Sequence, residues 1–304
     1  MSGIFLSIIS GVGIGLFHAL NRRAAYGIDP FQATFILLFV SSAVLIAISL
    51  LTIDLALLTT APPIAFVYFI LAAVIHFLVG WTLFNMSQKS VGAARTGVLL
   101  GTDPLWGTAI GAIFFSEFLS GIILLGIILM IIGAYVVSSD KPNNSNTEIQ
   151  TGAKASLYGL GAAVCFAASS IFIRYGLDFL LSPLLGVTIG ISVVTVIYGL
   201  LLWGQVALNG KKINFGRLLW LQIVGGVLVA LATWWRWMAF DLVPIAVVIA
   251  LSRLSIPTVL ILSPFVIGQK LENVNGRVWL GAVGILAGAM ILTFILVDRD
   301  FMKK

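Results

Sequence analysis

Two charged side chains stand within apolar stretches of this sequence, where charge is unusual. Asp103 immediately precedes Pro104, and Arg253 lies one helical turn before Pro257. If these stretches cross a bilayer, each charge costs about 2.5–3.5 kcal/mol on insertion scales, so it must be paired or face water. We therefore predict that Asp103 and Arg253 line a cavity, where they pair with each other or bind a charged part of a substrate. A fixed structural ion pair is the alternative.

The two prolines beside these charges are a second signal. Pro104 and Pro257 fall near the middle of apolar stretches that would form helices. A proline within a helix removes one backbone hydrogen bond and kinks the helix, and in a membrane the freed backbone group needs protein or a water-filled cavity. Kinks at matching places in the two halves of the chain predict a pair of hinges beside the cavity. Kinks that serve packing alone are the alternative.

A third arginine lies in an aromatic cluster. Arg236 stands within the sequence WWRW, residues 234–237. Such a cluster is typical of the membrane–water interface, where tryptophan rings are enriched. However, Trp234 has a counterpart in the first half of the chain, Trp81, so we predict that at least one of these rings faces the cavity. There it would stack on an apolar or cationic substrate.

The first apolar stretch carries small and polar residues on one helical face. Gly11, Gly15, His18 and Arg22 follow one another at i, i+4, i+7 and i+11, and Asn21 lies beside them. A face that is small at one end and polar at the other suits the wall of a cavity.

Both histidines of the chain, His18 and His76, lie in apolar stretches. An unperturbed imidazole changes charge near neutral pH, so each is a candidate, with Asp103, for carrying a coupling proton. The alternative is a core histidine with its hydrogen bonds satisfied. Asn85 adds a polar group to the stretch that holds His76. The predicted substrate-binding residues are therefore Asp103, Arg253, Arg236, Trp81, Trp234, Asn85, His18 and Asn21.

The elements that position these residues follow from composition. Of 304 residues, 60% are hydrophobic and 9% are charged, whereas roughly a quarter of a soluble domain is charged. A membrane-spanning helix needs about 20 apolar residues. The sequence predicts an all-α integral membrane protein with ten transmembrane helices near 4–21, 31–51, 64–86, 91–115, 120–138, 154–174, 184–207, 218–239, 244–267 and 278–297.

Charge and cysteine content exclude several classes of protein. The net charge is +6, but the basic residues are scattered through short loops, so no nucleic-acid partner is predicted. The single cysteine, Cys165, excludes a disulfide framework and a cysteine-based metal site. We predict no metal and no cofactor, and no ATP-binding loop is present.

The chain contains an internal repeat on either side of a polar segment. We assign residues 1–138 to a first repeat, 139–153 to a linker and 154–304 to a second repeat. Because each repeat holds five spans, the second is inverted in the bilayer, as in many secondary transporters. The matches are Phe17 with Phe166, YGID at 26–29 with YGLD at 175–178, Pro30 with Pro183, Trp81 with Trp234, Pro104 with Pro257, and Glu117 with Glu272.

Paired small residues and two glutamates are interpreted as structural. Small residues four apart let membrane helices approach closely. Glu117 and Glu272 each precede a glycine-rich helix, whose N-terminal dipole a carboxylate stabilises. The small pairs are Gly11/Gly15, Gly97/Gly101, Gly107/Gly111, Gly186/Gly190 and Gly284/Gly288.

On these motifs the chain resembles the EamA-type carriers of the drug/metabolite transporter superfamily. The resemblance rests on two segments with a proline, a later glutamate and a glycine-rich helix: Pro104–Glu117–Gly126 and Pro257–Glu272–Gly281. The second segment has two extra residues before its glutamate. The resemblance implies a ten-helix plasma-membrane transporter with cytoplasmic termini. In contrast, eleven Lys and Arg flank the face opposite the termini and four flank the terminal face, which favours the reverse orientation. Both orientations stay open.

These observations predict a secondary carrier that exports or exchanges a small metabolite, such as an amino acid or an organic anion, by alternating access. The bilayer and the substrate are its expected partners, and a monomer suffices. An intramembrane enzyme would need a convergent catalytic set, and a channel would need a selectivity ring. The sequence shows neither, so we predict that the chain is not an enzyme.

Overall fold

A computed structural model shows how these stretches are arranged. It describes residues 2–24, 29–52, 56–106, 109, 121–139, 153–209, 218–242, 248, 251–268 and 274–302, and the observations below concern these residues. Several predicted features lie outside the described residues: the central part of the linker, Glu117, Glu272 and the pair Gly107/Gly111.

All elements of the described chain are helical, and they fall where apolar stretches predicted them. The helices are α1 (Ser2–Ala24), α2 (Pro30–Thr52), α3 (Leu57–Thr60), α4 (Pro63–Ala73), α5 (Trp81–Val91), α6 (Ala93–Leu100), α7 (Gly121–Ser139), α8 (Ala153–Phe179), α9 (Pro183–Asn209), α10 (Leu219–Leu242), α11 (Ser255–Ile267) and α12 (Gly276–Met302), with a π-helical segment, Val74–Gly80, joining α4 to α5.

Within the part of the chain that the structure describes, six helical segments are long and apolar enough to cross a membrane. They are Gly3–Ala24, Phe31–Thr52, Pro63–Val91, Ala155–Phe179, Pro183–Leu208 and Leu219–Leu242. Shorter apolar helices lie at Leu124–Val137, Ser255–Ile267 and Gly276–Ile291. Large apolar side chains such as Leu51, Trp203 and Phe265 are exposed on the outside of the bundle, as a lipid-facing surface requires. The prediction of an all-helical integral membrane protein is confirmed.

The π-helical segment places His76 in an irregular part of an otherwise continuous helix. Its wider turn changes the backbone hydrogen bonds, and the carbonyl oxygen of Leu78 accepts hydrogen bonds from the hydroxyls of Thr82 and Tyr198, at 2.5 and 3.0 Å. Tyr198 is fully buried and reaches this carbonyl from α9. Single π-helical turns of this kind occur often at functional sites.

Both predicted kinks are instead complete breaks in the helix. Helix α6 ends at Leu100, a turn follows at residues 101–102, and residues 103–106 are helical again. Helix α11 begins at Ser255 after a turn at residues 253–254. Pro104 and Pro257 therefore stand in the first turn of a new helical segment, where a proline removes no helical hydrogen bond. The prediction of mid-helix kinks was wrong in this respect.

Helices in corresponding places of the two halves contact each other and run in opposite directions. Between α2 and α9, the hydroxyls of Ser42 and Ser192 are 2.9 Å apart, and those of Ser49 and Thr188 are also 2.9 Å apart. Since residue numbers rise along one helix and fall along the other, α2 and α9 are antiparallel.

The order of the contacts also gives the relative direction of α7 and α12. Between α7 and α12, a Cβ on Gly133 would lie 2.7 Å from the carbonyl oxygen of Gly281, and a Cβ on Gly288 would lie 2.5 Å from that of Gly126. Helices α7 and α12 are therefore antiparallel and almost in backbone contact.

Helices α6 and α11 form the third such pair. A Cβ on Gly97 would meet Val259 at 2.5 Å, and one on Gly101 would meet Ile256 at 2.5 Å. The numbers again run in opposite directions, so the pair is antiparallel. The close approach that small residues predicted is present here, and it brings the two helix breaks side by side.

Candidate functional site

A cavity of about 60 Å³ lies between α1, the α4–α5 helix, α6, α8, α10 and the break before α11. A volume of this size holds several water molecules. Its lining includes six of the residues predicted to bind the substrate or the coupling proton: Asp103, Arg253, Arg236, Trp81, His18 and His76.

Asp103 and Arg253 form an ion pair in the cavity wall. Nη2 of Arg253 is 2.6 Å from Oδ2 of Asp103, and both side chains are buried. Nη1 of Arg253 donates to the carbonyl oxygen of Leu100 at 3.0 Å. That carbonyl is the last of α6, so Arg253 satisfies a backbone group that the helix break leaves without a helical donor. The second oxygen of Asp103, Oδ1, is buried without a hydrogen-bond partner.

Arg236 faces this ion pair from α10. Its guanidinium lies 5.5 Å from the centre of the Phe240 ring, and it interacts electrostatically with both Asp103 and Arg253. Its Nε is buried without a hydrogen-bond partner. Among the described residues that line the cavity, two are arginines and one is a carboxylate. The cavity therefore carries one more positive charge than negative charge, with its histidines neutral.

Two further polar atoms of the cavity wall lack partners. Nδ1 of His18 and Nε1 of Trp81 are both buried without a hydrogen bond. The His18 ring packs against Phe84 with 4.7 Å between ring centres, and the Trp81 ring lies 5.1 Å from that of Phe17. Aromatic packing thus fixes both rings. A buried polar atom without a protein partner is an exception that a bound water or ion commonly explains.

The imidazole of His76 is held by a residue of the other half of the chain. Nδ1 of His76 lies 2.8 Å from Oγ of Ser169, and Ser169 donates its one hydroxyl hydrogen to the carbonyl oxygen of Phe166 at 2.8 Å. When Ser169 donates to Phe166, it accepts a hydrogen from Nδ1 of His76, and Nε2 is then the acceptor of the ring. The imidazole also stacks on Phe166 at 4.4 Å. His76 is thus positioned to accept a proton at Nε2.

Asn21 and Asn85 lie outside the cavity lining, in a buried group of amides that we call the amide cluster. It also contains Thr34, Gln88 and Gln222. Asn21 donates through Nδ2 to Asn85 at 2.7 Å and to Gln88 at 2.6 Å. Asn85 donates to Thr34 at 2.7 Å, and Gln222 donates to Asn21 at 3.3 Å.

The amide cluster supports the cavity wall from behind. Nε2 of Gln88 donates to the carbonyl oxygen of His18 at 2.8 Å, so the cluster contacts the backbone of a residue that lines the cavity. Trp234 also lies outside the lining and packs, partly buried, against the hydrophobic core. The structure therefore gathers six of the predicted site residues around the cavity and places Asn21, Asn85 and Trp234 around its periphery.

We expect Asn85→Leu to lower the free energy of unfolding by about 1–3 kcal/mol, because Asn21 and Thr34 would lose a buried partner. Thermal unfolding of the purified protein, followed by tryptophan fluorescence, measures the change. Thr52→Val is the matched control, since the Thr52 hydroxyl is exposed and bonds only its own helix, at Ile48. Equal stability of the two variants would contradict a supporting role for the cluster.

Several residues of this region were not predicted from the sequence. Phe166 had a visible signal, since it is the repeat counterpart of Phe17. Gln88 and Gln222 are polar residues in or beside apolar stretches. This departure from the apolar pattern was a signal that could have identified them as candidate site residues. Ser169 and Phe240 carried no signal, because serine and phenylalanine are common in membrane helices and only the fold shows what they contact.

Comparisons with known proteins bear on the family and on the fold. Residues 1–139 match the EamA-like transporter family, which confirms the resemblance that the sequence motifs indicated. A solved structure described as "Crystal structure of protein" shares the fold, with a TM-score of 0.60, 17% sequence identity, and coverage of 95% of this chain and 96% of the other. At that identity the similarity establishes the fold alone. No curated protein matches the chain.

Proposed function

We propose that this membrane protein, whose residues 1–139 match the EamA-like transporter family, is a secondary carrier that works by alternating access. It would export or exchange a small metabolite such as an amino acid or an organic anion. The single observation that carries the proposal is the cavity, which combines an ion pair, a further arginine and unpartnered polar atoms within a membrane bundle. Such groups are expensive in a membrane unless they are paired or face water, and where they occur they commonly mark a solute or ion pathway.

The direction of the helix pairs supports an inverted repeat of ten spans. If the halves pointed the same way, corresponding helices would run parallel. The pairs α2/α9, α6/α11 and α7/α12 run antiparallel. The family match ends at residue 139, next to the end of the proposed first repeat at 138. We therefore propose repeats at 1–138 and 154–304, joined by a linker at 139–153.

The two helix breaks are the proposed moving parts. Broken helices at the centre of a bundle are characteristic of transporter sites between inverted repeats. Here both breaks border the cavity, and Arg253 joins them through Asp103 and the Leu100 carbonyl. We propose that Pro104 and Pro257 act as hinges by starting the helical segments that follow the breaks, and that the ion pair rearranges as one side closes and the other opens.

The side chains have distinct proposed roles. Asp103, Arg253, Arg236, Trp81 and His18 contact the substrate directly. Asn21, Asn85 and Trp234 hold the wall in place and act on binding indirectly. His76 carries the coupling proton at Nε2, with His18 and Asp103 as the other candidates.

Counterflow in liposomes tests the proposal. A thermal-stability screen of the purified protein against amino acids, nucleosides, sugars and organic acids would first identify a compound that stabilises it. Liposomes loaded with that compound should then take up its labelled form in a saturable manner, faster than empty liposomes. Alkalinisation or acidification of the lumen during uptake would report proton coupling.

Other outcomes separate the alternative functions. Uptake that does not saturate and is not stimulated by internal substrate indicates a channel, and chemical conversion of the compound indicates an enzyme. Either result contradicts the carrier proposal. Localisation to the plasma membrane and function as a monomer are proposed as well; fractionation of native membranes and light scattering of the purified protein would test them.

A further inference from the structure

We infer that Arg236 binds the anionic group of the substrate, so that the cavity selects a small carboxylate with an apolar body. This inference rests on the proposed carrier function and names the class of its substrate. It starts from the charges of the cavity. Asp103 is paired with Arg253 at 2.6 Å, whereas no described carboxylate forms an ion pair with Arg236.

The described protein groups around Arg236 do not supply the ion pair that a bound anion would form with it. Its guanidinium lies over the Phe240 ring at 5.5 Å, and such a contact stabilises a cation only in part. Its Nε is buried without a hydrogen-bond partner. A guanidinium has five N–H donors in a planar fork that matches a carboxylate. An anion bound at this position would satisfy the free donor and balance the charge of the cavity.

The other residues of the cavity wall indicate which further groups the ligand carries. Trp81 offers a second unpartnered donor, Nε1, to the anionic group. Phe166, Trp237 and Phe240 supply aromatic surface to the lining. A compact aromatic or branched apolar group would pack against these rings beside the carboxylate. The free Oδ1 of Asp103 is an acceptor that an ammonium or hydroxyl hydrogen of the ligand would meet.

A bound anion that neutralises the charge of the cavity also favours movement of the substrate through the membrane. The empty cavity holds an unbalanced positive charge, which is costly in a dry environment. With a monoanion bound, the charges of Asp103, Arg253, Arg236 and the ligand sum to zero. A neutral ligand would leave the charge in place, and a cation would add to it. The cavity therefore discriminates by charge before it discriminates by shape.

Four benzene derivatives that differ mainly in charge test the inference: benzoate, benzamide, benzylammonium and phenylglycine. Binding to the purified protein is measured by calorimetry at neutral pH. We expect benzoate to bind at least about tenfold more tightly than benzamide, as a hydrogen bond to a charged group implies, and benzylammonium to bind most weakly. Phenylglycine, which carries both a carboxylate and an ammonium, shows whether Asp103 contributes: binding tighter than benzoate adds the ammonium to the ligand class and keeps the carboxylate at Arg236.

Variants of Arg236 then test whether this arginine causes the preference for benzoate. Arg236→Gln should bring benzoate to within about threefold of benzamide, whereas Arg236→Lys should keep part of the preference because it keeps the charge. Arg174→Gln is the matched control, since Arg174 is half-exposed and pairs with Asp178 on the surface of α8. It should bind all four compounds as the wild type does.

The outcomes distinguish this inference from the proposed function. Equal binding of benzoate and benzamide by the wild type overturns the inference, and this comparison requires no variant to fold. A benzoate preference that survives in Arg236→Gln also overturns it. If neutral compounds undergo counterflow without any anion preference, the carrier proposal holds and the anion site fails. If benzoate binds through Arg236 and no tested anion undergoes counterflow, the anion site holds and the carrier proposal fails.

Discussion

Replacing Arg253 with glutamine should abolish transport and lower the free energy of unfolding by about 3–5 kcal/mol, because a buried carboxylate would lose its partner. Asp103 is buried and has one ion-pair partner among the described residues, Nη2 of Arg253 at 2.6 Å. The carbonyl oxygen of Leu100 would lose its donor in the same variant. Asp103→Asn should likewise abolish transport, with a smaller loss of stability, because an amide still accepts a hydrogen bond.

The double variant separates a structural pair from a functional one. Removing both charges of a buried pair is often neutral for stability, whereas removing one is costly. Asp103→Asn with Arg253→Gln should therefore recover most of the lost stability. If the pair only holds the fold, transport should recover with it; if the pair takes part in the cycle, transport should stay absent. We expect the second result, from thermal unfolding and counterflow measured on the same preparations.

A surface pair provides the control. Arg174 and Asp178 are 3.8 Å apart and more than half exposed on α8, and exposed pairs contribute about 0–1 kcal/mol. Arg174→Gln with Asp178→Asn should leave both stability and transport near the wild type. Full transport by both single variants, Asp103→Asn and Arg253→Gln, would contradict a functional role for the buried pair.

The positions of the helices could be predicted because a bilayer fixes their length. The stretch predicted at 31–51 is the helix Pro30–Thr52, and the one at 184–207 is Pro183–Asn209. Apolar length alone decides such boundaries. The breaks beside Pro104 and Pro257 could not be predicted in the same way. A proline signals a missing hydrogen bond, but whether the helix kinks or restarts depends on a distant donor, here Arg253 for the Leu100 carbonyl.

The charged residues of the site were predictable and its amides were not. A charge in an apolar stretch has few favourable environments, so Asp103 and Arg253 were expected to line a cavity and either to pair or to bind a charged part of a substrate. The structure places both in the cavity lining, paired with each other. An amide can be satisfied by another amide, and Asn21 finds Asn85 and Gln88 on neighbouring helices. Helical periodicity identifies the face on which a residue lies. It does not identify which helix covers that face.

We expect Gly15→Leu to prevent normal folding, with a larger loss of stability than the roughly 1–3 kcal/mol typical of overpacking. A Cβ at Gly15 would lie 2.6 Å from Cβ of Thr258 and 2.8 Å from the carbonyl oxygen of Ser255. Neither neighbour can move freely, because both belong to the first turns of α11. Helix α1 would have to separate from α11, and His18 and Arg253 would then leave their places around the cavity.

Gly204→Leu is the matched control for this prediction. Gly204 lies on α9 with no atom within 4 Å of a Cβ placed there, so a leucine would extend into open space. It should express and transport as the wild type does, while Gly15→Leu should yield little folded protein, as size-exclusion profiles of both variants would show. Gly15→Ala adds the same clashing Cβ without the rest of the leucine side chain, so it should lose stability and transport, but less of each than Gly15→Leu. If Gly15→Leu folds and transports normally, α1 is not packed against the broken helix, and the cavity between them cannot have the shape described.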